Sequence, residues 1–246
     1  MAGKSDFLFG IRSVIEAIRS GKEIEKILVK KGLQGELYEE LVETMKEANI
    51  AWQTVPIDRI NRATRKNHQG VIAFVSAITY QDFENTLIGL FEQGKNPLIL
   101  VLDGITDIRN MGAIARSAEC AGVDAIVIPE KGGAPINADA VKTSAGALHT
   151  IPVSRVSNLY KTLEYMQNSG LRLIAATEKA SDEYTKVDFT GPTAIVLGAE
   201  DKGVSSQVLK ICDEGAKIPI VGTIGSLNVS VAAGVMLYEV LRQRAL

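Results

Sequence analysis

The sequence predicts an α/β protein in two parts: a small α/β unit, then a larger one built on a parallel sheet. Three observations carry this. Beyond Pro97, short apolar runs such as 98–102 and 125–128 alternate with segments of helical periodicity, the pattern of parallel strands covered on both faces. Residues 7–77 show the same alternation on a smaller scale. Between them 79–96 turns polar and glycine-bearing, so the parts are read as 1–78 and 97–246 with 79–96 as linker.

In the first part, Ile11, Val14, Ile15 and Ile18 recur at helical spacing and Gly21 ends the helix. A strand is expected over 26–30, an amphipathic helix over 35–48, a strand over 50–55, a short helix over 57–64 and a buried strand over 71–75. One modest helix lies near 87–91. In the second part, after the strand at 98–102, Asn110 can cap a helix over 111–121 that Gly122 closes. Strands follow at 125–128, 151–153, 171–176, 194–197 and 216–220, with helices near 138–145, 158–168 and 207–212 between them. Ser226 can cap a last helix running almost to the C-terminus.

The 246 residues suffice for two real cores, and the 46% apolar and 23% charged shares are those of an ordinary globular protein. No apolar run approaches the roughly 20 residues of a membrane span. The N-terminus has no signal-peptide pattern, so a cytoplasmic location is expected, with no membrane partner. Cys120 and Cys212 belong to no paired spacing and are expected to be reduced and buried, Cys120 as core filling. His68 and His149 have no neighbouring ligands, so no metal is expected. Net charge is −2, yet residues 1–80 hold 12 Lys/Arg against 10 Asp/Glu. Arg59, Arg62, Arg65 and Lys66 fall within eight residues there, either a solvated helix end or a phosphate-contacting patch that would make binding salt-sensitive.

The loops after two of the buried runs carry the chemistry. Gly198 and Gly203 have the spacing of a P-loop, but Val204 and Ser205 stand where Lys and Ser/Thr are required, so triphosphate binding is unsupported. No G-x-G-x-x-G follows a strand, and no Ser sits in a nucleophile elbow. Glu200 and Asp201, just past a strand end, offer carboxylates to a cationic or hydrogen-bonding group. Ile218 and Leu227 offer apolar surface for a flat ring, backbone amides near Gly198 and Leu227 can read its edge, and Ser226 and Asn228 add side-chain hydrogen bonds.

Three segments together, Asn110-x-Gly112-x-x-x-Arg116, Leu197-Gly198-x-Glu200-x-x-Gly203 and Ile218-Pro219-x-x-Gly222 followed by Ser226-Leu-Asn-Val-Ser230, resemble the motifs of the SpoU (TrmH-like) branch of SPOUT RNA 2′-O-methyltransferases. The stretch from Phe9 to Ala17, with His68-Gln-Gly-Val-Ile-Ala73, resembles the L30e-type RNA-binding domain of the RlmB-like subgroup. The resemblance spans nearly the whole chain without departure at the motif positions. It implies a parallel α/β sheet with a deep trefoil knot, a homodimer, and S-adenosylmethionine held by Gly198, Ile218 and Leu227, with Thr177 at a neighbouring strand end. It implies Arg116 as catalytic residue, supported by Asn110, Glu200, Ser226 and Asn228. Whether Arg116 takes the ribose proton or stays cationic beside the developing alkoxide is open; a free guanidinium is a poor base in water, which favours the second. The implied substrate is a guanosine of 23S ribosomal RNA. A tRNA or antibiotic-site rRNA target, or a non-catalytic RNA-binding assembly factor, are the competing readings.

Overall fold

The computed structural model describes residues 7–50 and 52–245. The chain divides into two compact units, Met1–Thr79 with Ile136–Ala138, and Tyr80–Pro135 with Asp139–Leu246.

The smaller unit is a four-stranded sheet in the order β1 (Phe7–Phe9), β4 (Val71–Val75), β2 (Ile24–Lys30), β3 (Trp52–Val55). β1 and β2 run antiparallel to β4, and β3 runs parallel to β2. The helices α1 (Ile11–Arg19) and α2 (Glu36–Glu47) bury Val14, Ile15, Ile18, Leu41 and Met45 against Ile27, Val29, Val71 and Ala73 on one face. On the other, α3 (Ile57–Ala63) lays Ile60 on Leu28, Val55 and Ile72. The Phe9 and His68 segments are staples of this unit. Gln69 Oε1 accepts from the Ile11 N–H at 3.1 Å, and Gly10 N–H donates to the Val71 carbonyl. Strand β1 went unread in the sequence because three residues are too few to show a period.

The larger unit is a six-stranded, all-parallel sheet in the order β10 (Glu214–Ala216), β8 (Arg172–Ala176), β9 (Thr193–Gly198), β5 (Leu98–Asp103), β6 (Ala125–Pro129), β7 (Val153–Val156). Leu98, Ile99, Leu100, Val101 and Leu102 are all buried, as a central strand demands; each such side chain stabilises the fold by about 1.5–3 kcal/mol. The stretch read as a linker holds α4 (Phe83–Glu92), whose Phe83, Leu87 and Leu90 enter the core around β5 and β9. Asp82 caps it by accepting from Asn85 N–H. The polar texture of 79–96 belongs to the solvent face of that helix.

Helix α5 (Ile108–Cys120) follows β5, α6 (Ala138–Thr143) follows β6, α7 (Leu159–Asn168) follows β7 and α8 (Ser206–Leu209) follows β9. The last helix, α9 (Val229–Arg244), packs on α5. Arg244 anchors its end by donating to the carbonyls of Phe189, Asn96, Pro97 and Gly191, an array that fits the guanidinium fork. No helix among the described residues is long and apolar enough to cross a membrane.

Several boundaries differ from expectation. The helix after β5 is capped by Asp107, which accepts from Arg109 and Asn110 N–H groups at 2.7 and 3.0 Å, so Asn110 lies in the first turn and its side chain is free for other work. The edge strand β7 starts two residues later than read, and β10 ends at Ala216, leaving Ile218 in a loop. Cys120 is exposed, contrary to the core role read for it, because it falls on the open face of α5; Cys212 is partly buried, and both are free thiols.

Candidate active site

In an open parallel sheet the carboxyl ends of the strands form the natural binding crevice. Here four adjacent strand ends, β10, β8, β9 and β5, bring together Ile218, Thr177, Gly198 and Asp103. Asp103 and Gly198 are partners across the β5–β9 ladder, and Thr177 N–H donates to the Ala216 carbonyl at 3.0 Å.

Gly198 ends β9 where the chain doubles back. A Cβ on it would lie 2.0 Å from Gly203 carbonyl carbon and Val204 nitrogen, so no side chain fits. Ala199 and Gly203 bridge each other, Gly203 N–H donating to Ala199 carbonyl at 2.7 Å, and Gly203 takes φ 66°. Val204 is buried in the core below. Asp103 closes the loop from the side, its Oδ2 accepting from Ser205 N–H at 2.8 Å. Sequence reasoning missed Asp103; the signal was an aspartate and a glycine ending a buried run, with Gly104 at φ 81° turning the chain.

Asn228 ties three segments. Its Nδ2 donates to Glu200 Oε1 at 2.6 Å and to Asn110 Oδ1 at 3.1 Å, using both amide hydrogens. Its Oδ1 accepts from Ser230 N–H at 3.0 Å and from the Ser230 hydroxyl, which makes Asn228 the N-cap of α9. Ser226, the cap read from the sequence, stands two residues too early and is exposed. The helix α5, the loop after β9 and the start of α9 are thus pinned by one side chain.

Arg116 lies on α5, six residues beyond Asn110, exposed and without a side-chain hydrogen bond or ion pair among the described residues. Asn110 and Glu200, expected to hold it, are held by Asn228 instead. The register of α5 depends on Gly112, where a Cβ would meet Thr143 Cβ at 2.5 Å and the Ala140 carbonyl oxygen at 2.8 Å. That close contact explains the glycine two residues after Asn110.

The segment 218–227 differs in kind. None of its backbone groups makes a backbone hydrogen bond among the described residues. Its apolar side chains face outward: Ile220 is 39% exposed, Val221 100%, Ile224 76% and Leu227 39%. Solvent-facing amides beside exposed apolar side chains at a strand-end crevice suit a planar heterocycle with a hydrogen-bonding edge. A groove of about 630 Å³ elsewhere, lined by Lys95, Asp124 and Pro152 among others, lies at the opposite, amino ends of β5, β6 and β7 and contains none of these residues.

In the smaller unit, Arg59 and Arg62 lie on α3 and Arg65 and Lys66 follow it. All four are exposed, and none is ion-paired among the described residues. The Lys66 ammonium sits 5.7 Å from the centre of the Phe9 ring.

Comparison with known proteins gives a consistent picture. The SpoU rRNA methylase family model matches residues 97–238, and the model for RNA 2′-O ribose methyltransferase substrate binding matches 7–81. YacO of Bacillus subtilis (strain 168), assigned to the TrmH family of tRNA/rRNA methyltransferases, is 34% identical over 244 residues, covering 99% of this chain and 98% of its own. The crystal structure of an RNA 2′-O ribose methyltransferase aligns with a TM-score of 0.57 at 27% identity, over 98% of this chain and 89% of that one. The SpoU methyltransferase AviRb from Streptomyces viridochromogenes, solved with its cofactor AdoMet, shares the fold with a TM-score of 0.62 at 24% identity, over 97% and 90% of the two chains.

Proposed function

The chain belongs to the SpoU rRNA methylase family, and from that premise we propose that it moves a methyl group from S-adenosylmethionine to a ribose 2′-hydroxyl in RNA. The observation that carries the reading is the junction made by Asn228, which fixes Asn110 and Glu200 together at the strand ends, with Asn110 six residues before Arg116 on α5, an arginine uncommitted among the described residues.

The residues present fit the cofactor. Gly198, Ile218 and Leu227, with Thr177 beside them, would hold it: the open amides of 218–227 for the edge of its adenine, Ile218 and Leu227 for the ring faces. When bound, S-adenosylmethionine supplies an electrophilic methyl group on a sulfonium. The ribose oxygen attacks in line, forming the O–C bond as the C–S bond breaks and its electron pair stays on sulfur; the hydroxyl proton leaves to water. An arginine is a poor base, so Arg116 acts as a cation that stabilises the charge developing on that oxygen. Ser226, whose hydroxyl is uncommitted among the described residues, and Asn228 orient the ribose and the loop.

The RNA contacts the smaller unit through the phosphate-binding cations Arg59, Arg62, Arg65 and Lys66. We take the substrate to be a guanosine of 23S ribosomal RNA, since the substrate-binding match over 7–81 adds a whole unit for RNA recognition. The working form is a homodimer. Val221, Ile224 and Leu227 in the loop after β10, and Val231, Tyr238 and Leu241 on α9, are exposed apolar side chains that a second copy would cover.

The test is incorporation of labelled methyl from S-adenosylmethionine into unmodified 23S rRNA, with tRNA as the parallel arm and the methylated position mapped by mass spectrometry. Arg116→Ala is expected to lower kcat by about 10²–10³-fold while cofactor affinity by calorimetry stays within a few-fold. Methylation of a base rather than a ribose, or full turnover in Arg116→Ala, would overturn the assignment.

A further inference from the structure

The four-stranded sheet of the smaller unit has two unlike faces. One is closed by α1 and α2 over aliphatic side chains. On the other, the strand register sets residues in rows: Phe7, Phe74 and Lys26 in one, Phe9, Ile72 and Leu28 in the next. Helix α3 covers Leu28, Val55 and Ile72 but stops short of the β1–β4 edge, so Phe7, Phe9 and Phe74 are only partly buried. Their rings cluster, with centroids 6.1 Å apart for Phe7 and Phe74 and 6.3 Å for Phe7 and Phe9. Two lysines stand beside them, and three arginines belong to the same unit. Lys26 is exposed at the end of the Phe7–Phe74 row, Lys66 sits over Phe9, and Arg59, Arg62 and Arg65 stand on and just after α3, with Asp58 the acidic residue of that helix.

We propose that Phe74 and Phe9, with Phe7, form a stacking platform for unpaired nucleobases, and that this unit selects a single-stranded loop or bulge of the substrate RNA rather than a continuous duplex. The proposal rests on reading the chain as an RNA methyltransferase and names the class of RNA segment its substrate-binding unit takes. The chemistry is specific to that occupant. A stacked duplex hides its base faces, whereas an unpaired base offers a flat π surface to an aromatic ring while its phosphates reach neighbouring Lys and Arg. A purely apolar partner would leave the exposed Lys26 and Lys66 beside these rings unmatched. Phosphate contacts alone would need no phenylalanines at the surface, where three aromatic rings are costly to leave in water.

The experiment uses the full-length protein and fluorescence anisotropy with a short unstructured oligoribonucleotide, free and annealed into a duplex. Phe74→Leu and Phe9→Leu keep apolar volume over Ile72 and Leu28 and remove the ring; Phe74→Tyr keeps the ring. Each leucine variant is expected to weaken single-strand binding by about 5- to 100-fold. Phe74→Tyr should stay within about twofold, and duplex binding should not change. Replacing one nucleotide by an abasic site should weaken binding to the wild type more than to Phe74→Leu, as coupled partners require. With rRNA as substrate the same variants should raise KM and leave kcat unchanged.

Single-strand affinity unmoved in both leucine variants would overturn the platform, as would an equal loss for single strand and duplex or a loss that tyrosine does not rescue. Binding of S-adenosylmethionine, measured separately, keeps the two readings apart. If the protein gives no heat with the cofactor yet the rings still select single strands, the enzyme reading falls and the platform stands.

Discussion

Two loops meet at the same end of the large sheet and are built on opposite principles. The loop after β9, 199–205, is closed by its own backbone. Gly203 donates back to Ala199, Val204 is sunk in the core, Asp103 holds the Ser205 amide, and Asn228 holds Glu200. The loop after β10, 218–227, has no backbone hydrogen bond among the described residues and turns Val221 and Ile224 to solvent. Buried polar groups and exposed apolar ones both cost free energy, so the first loop is finished within the chain while the second awaits something to bind. A rigid wall opposite an open one suits the proposed site, which a cofactor and a second subunit would complete.

That contrast can be broken at several points. Gly198→Ala should have the largest effect, because its Cβ would sit 2.0 Å from backbone that cannot move without tearing Val204 from the core. A destabilisation of about 3 kcal/mol in chemical denaturation, with methyl transfer lost, is expected. A near-neutral result would show the first loop to be as pliable as the second.

Asn228→Asp is the finer probe. The carboxylate still caps α9, but it now faces Glu200 Oε1 across a contact that was 2.6 Å. Two like charges so close repel by about 1 kcal/mol even in water and by more beside protein, so methyl transfer should fall roughly tenfold or more while helix content holds. Rescue by the further change Glu200→Gln would place the effect in that pair.

For the second loop the expectation reverses. Val221→Ser should alter the folding stability of the isolated chain by no more than about 0.5 kcal/mol, since the side chain is fully exposed. Sedimentation should nevertheless show weaker self-association. A stable dimer unaffected by Val221→Ser would remove this loop from the interface.

The smallest effect concerns the thiols. Burial pushes the Cys212 thiol up to about 12, with Asp213 and Asp103 adding to the shift, so at pH 8 it stays protonated. Exposed Cys120 should react promptly with a disulfide reagent, and Cys212 only after unfolding. Two prompt equivalents per chain would show that the segment around Cys212, just before β10, opens readily.

Much of this architecture was legible without coordinates. The buried strands at 98–102, 125–128 and 194–197 announced themselves because a parallel sheet covered on both faces admits only apolar side chains, and the helix at 11–19 because its stripe repeats at 3.6 residues. Asn110, Glu200 and Asn228 could be named together only through the family resemblance of their motifs, and hydrogen bonds from Asn228 join them. What failed was local and polar. Asp107 and Asn228 took the caps assigned to Asn110 and Ser226, since several nearby residues can each accept from a free N–H and only the path of the chain chooses among them.

The sequence by itself determined the two α/β units, the parallel sheet and the residue types at the strand ends, because periodicity and glycine placement are local properties that survive in one dimension. Only the tertiary structure decided that a single amide on Asn228 would bridge positions 28 and 118 residues away, and that Asp103 would close a loop 102 residues downstream. Such contacts depend on strand order in the sheet. Strand order is set by how the whole core packs, which no short segment of the chain encodes.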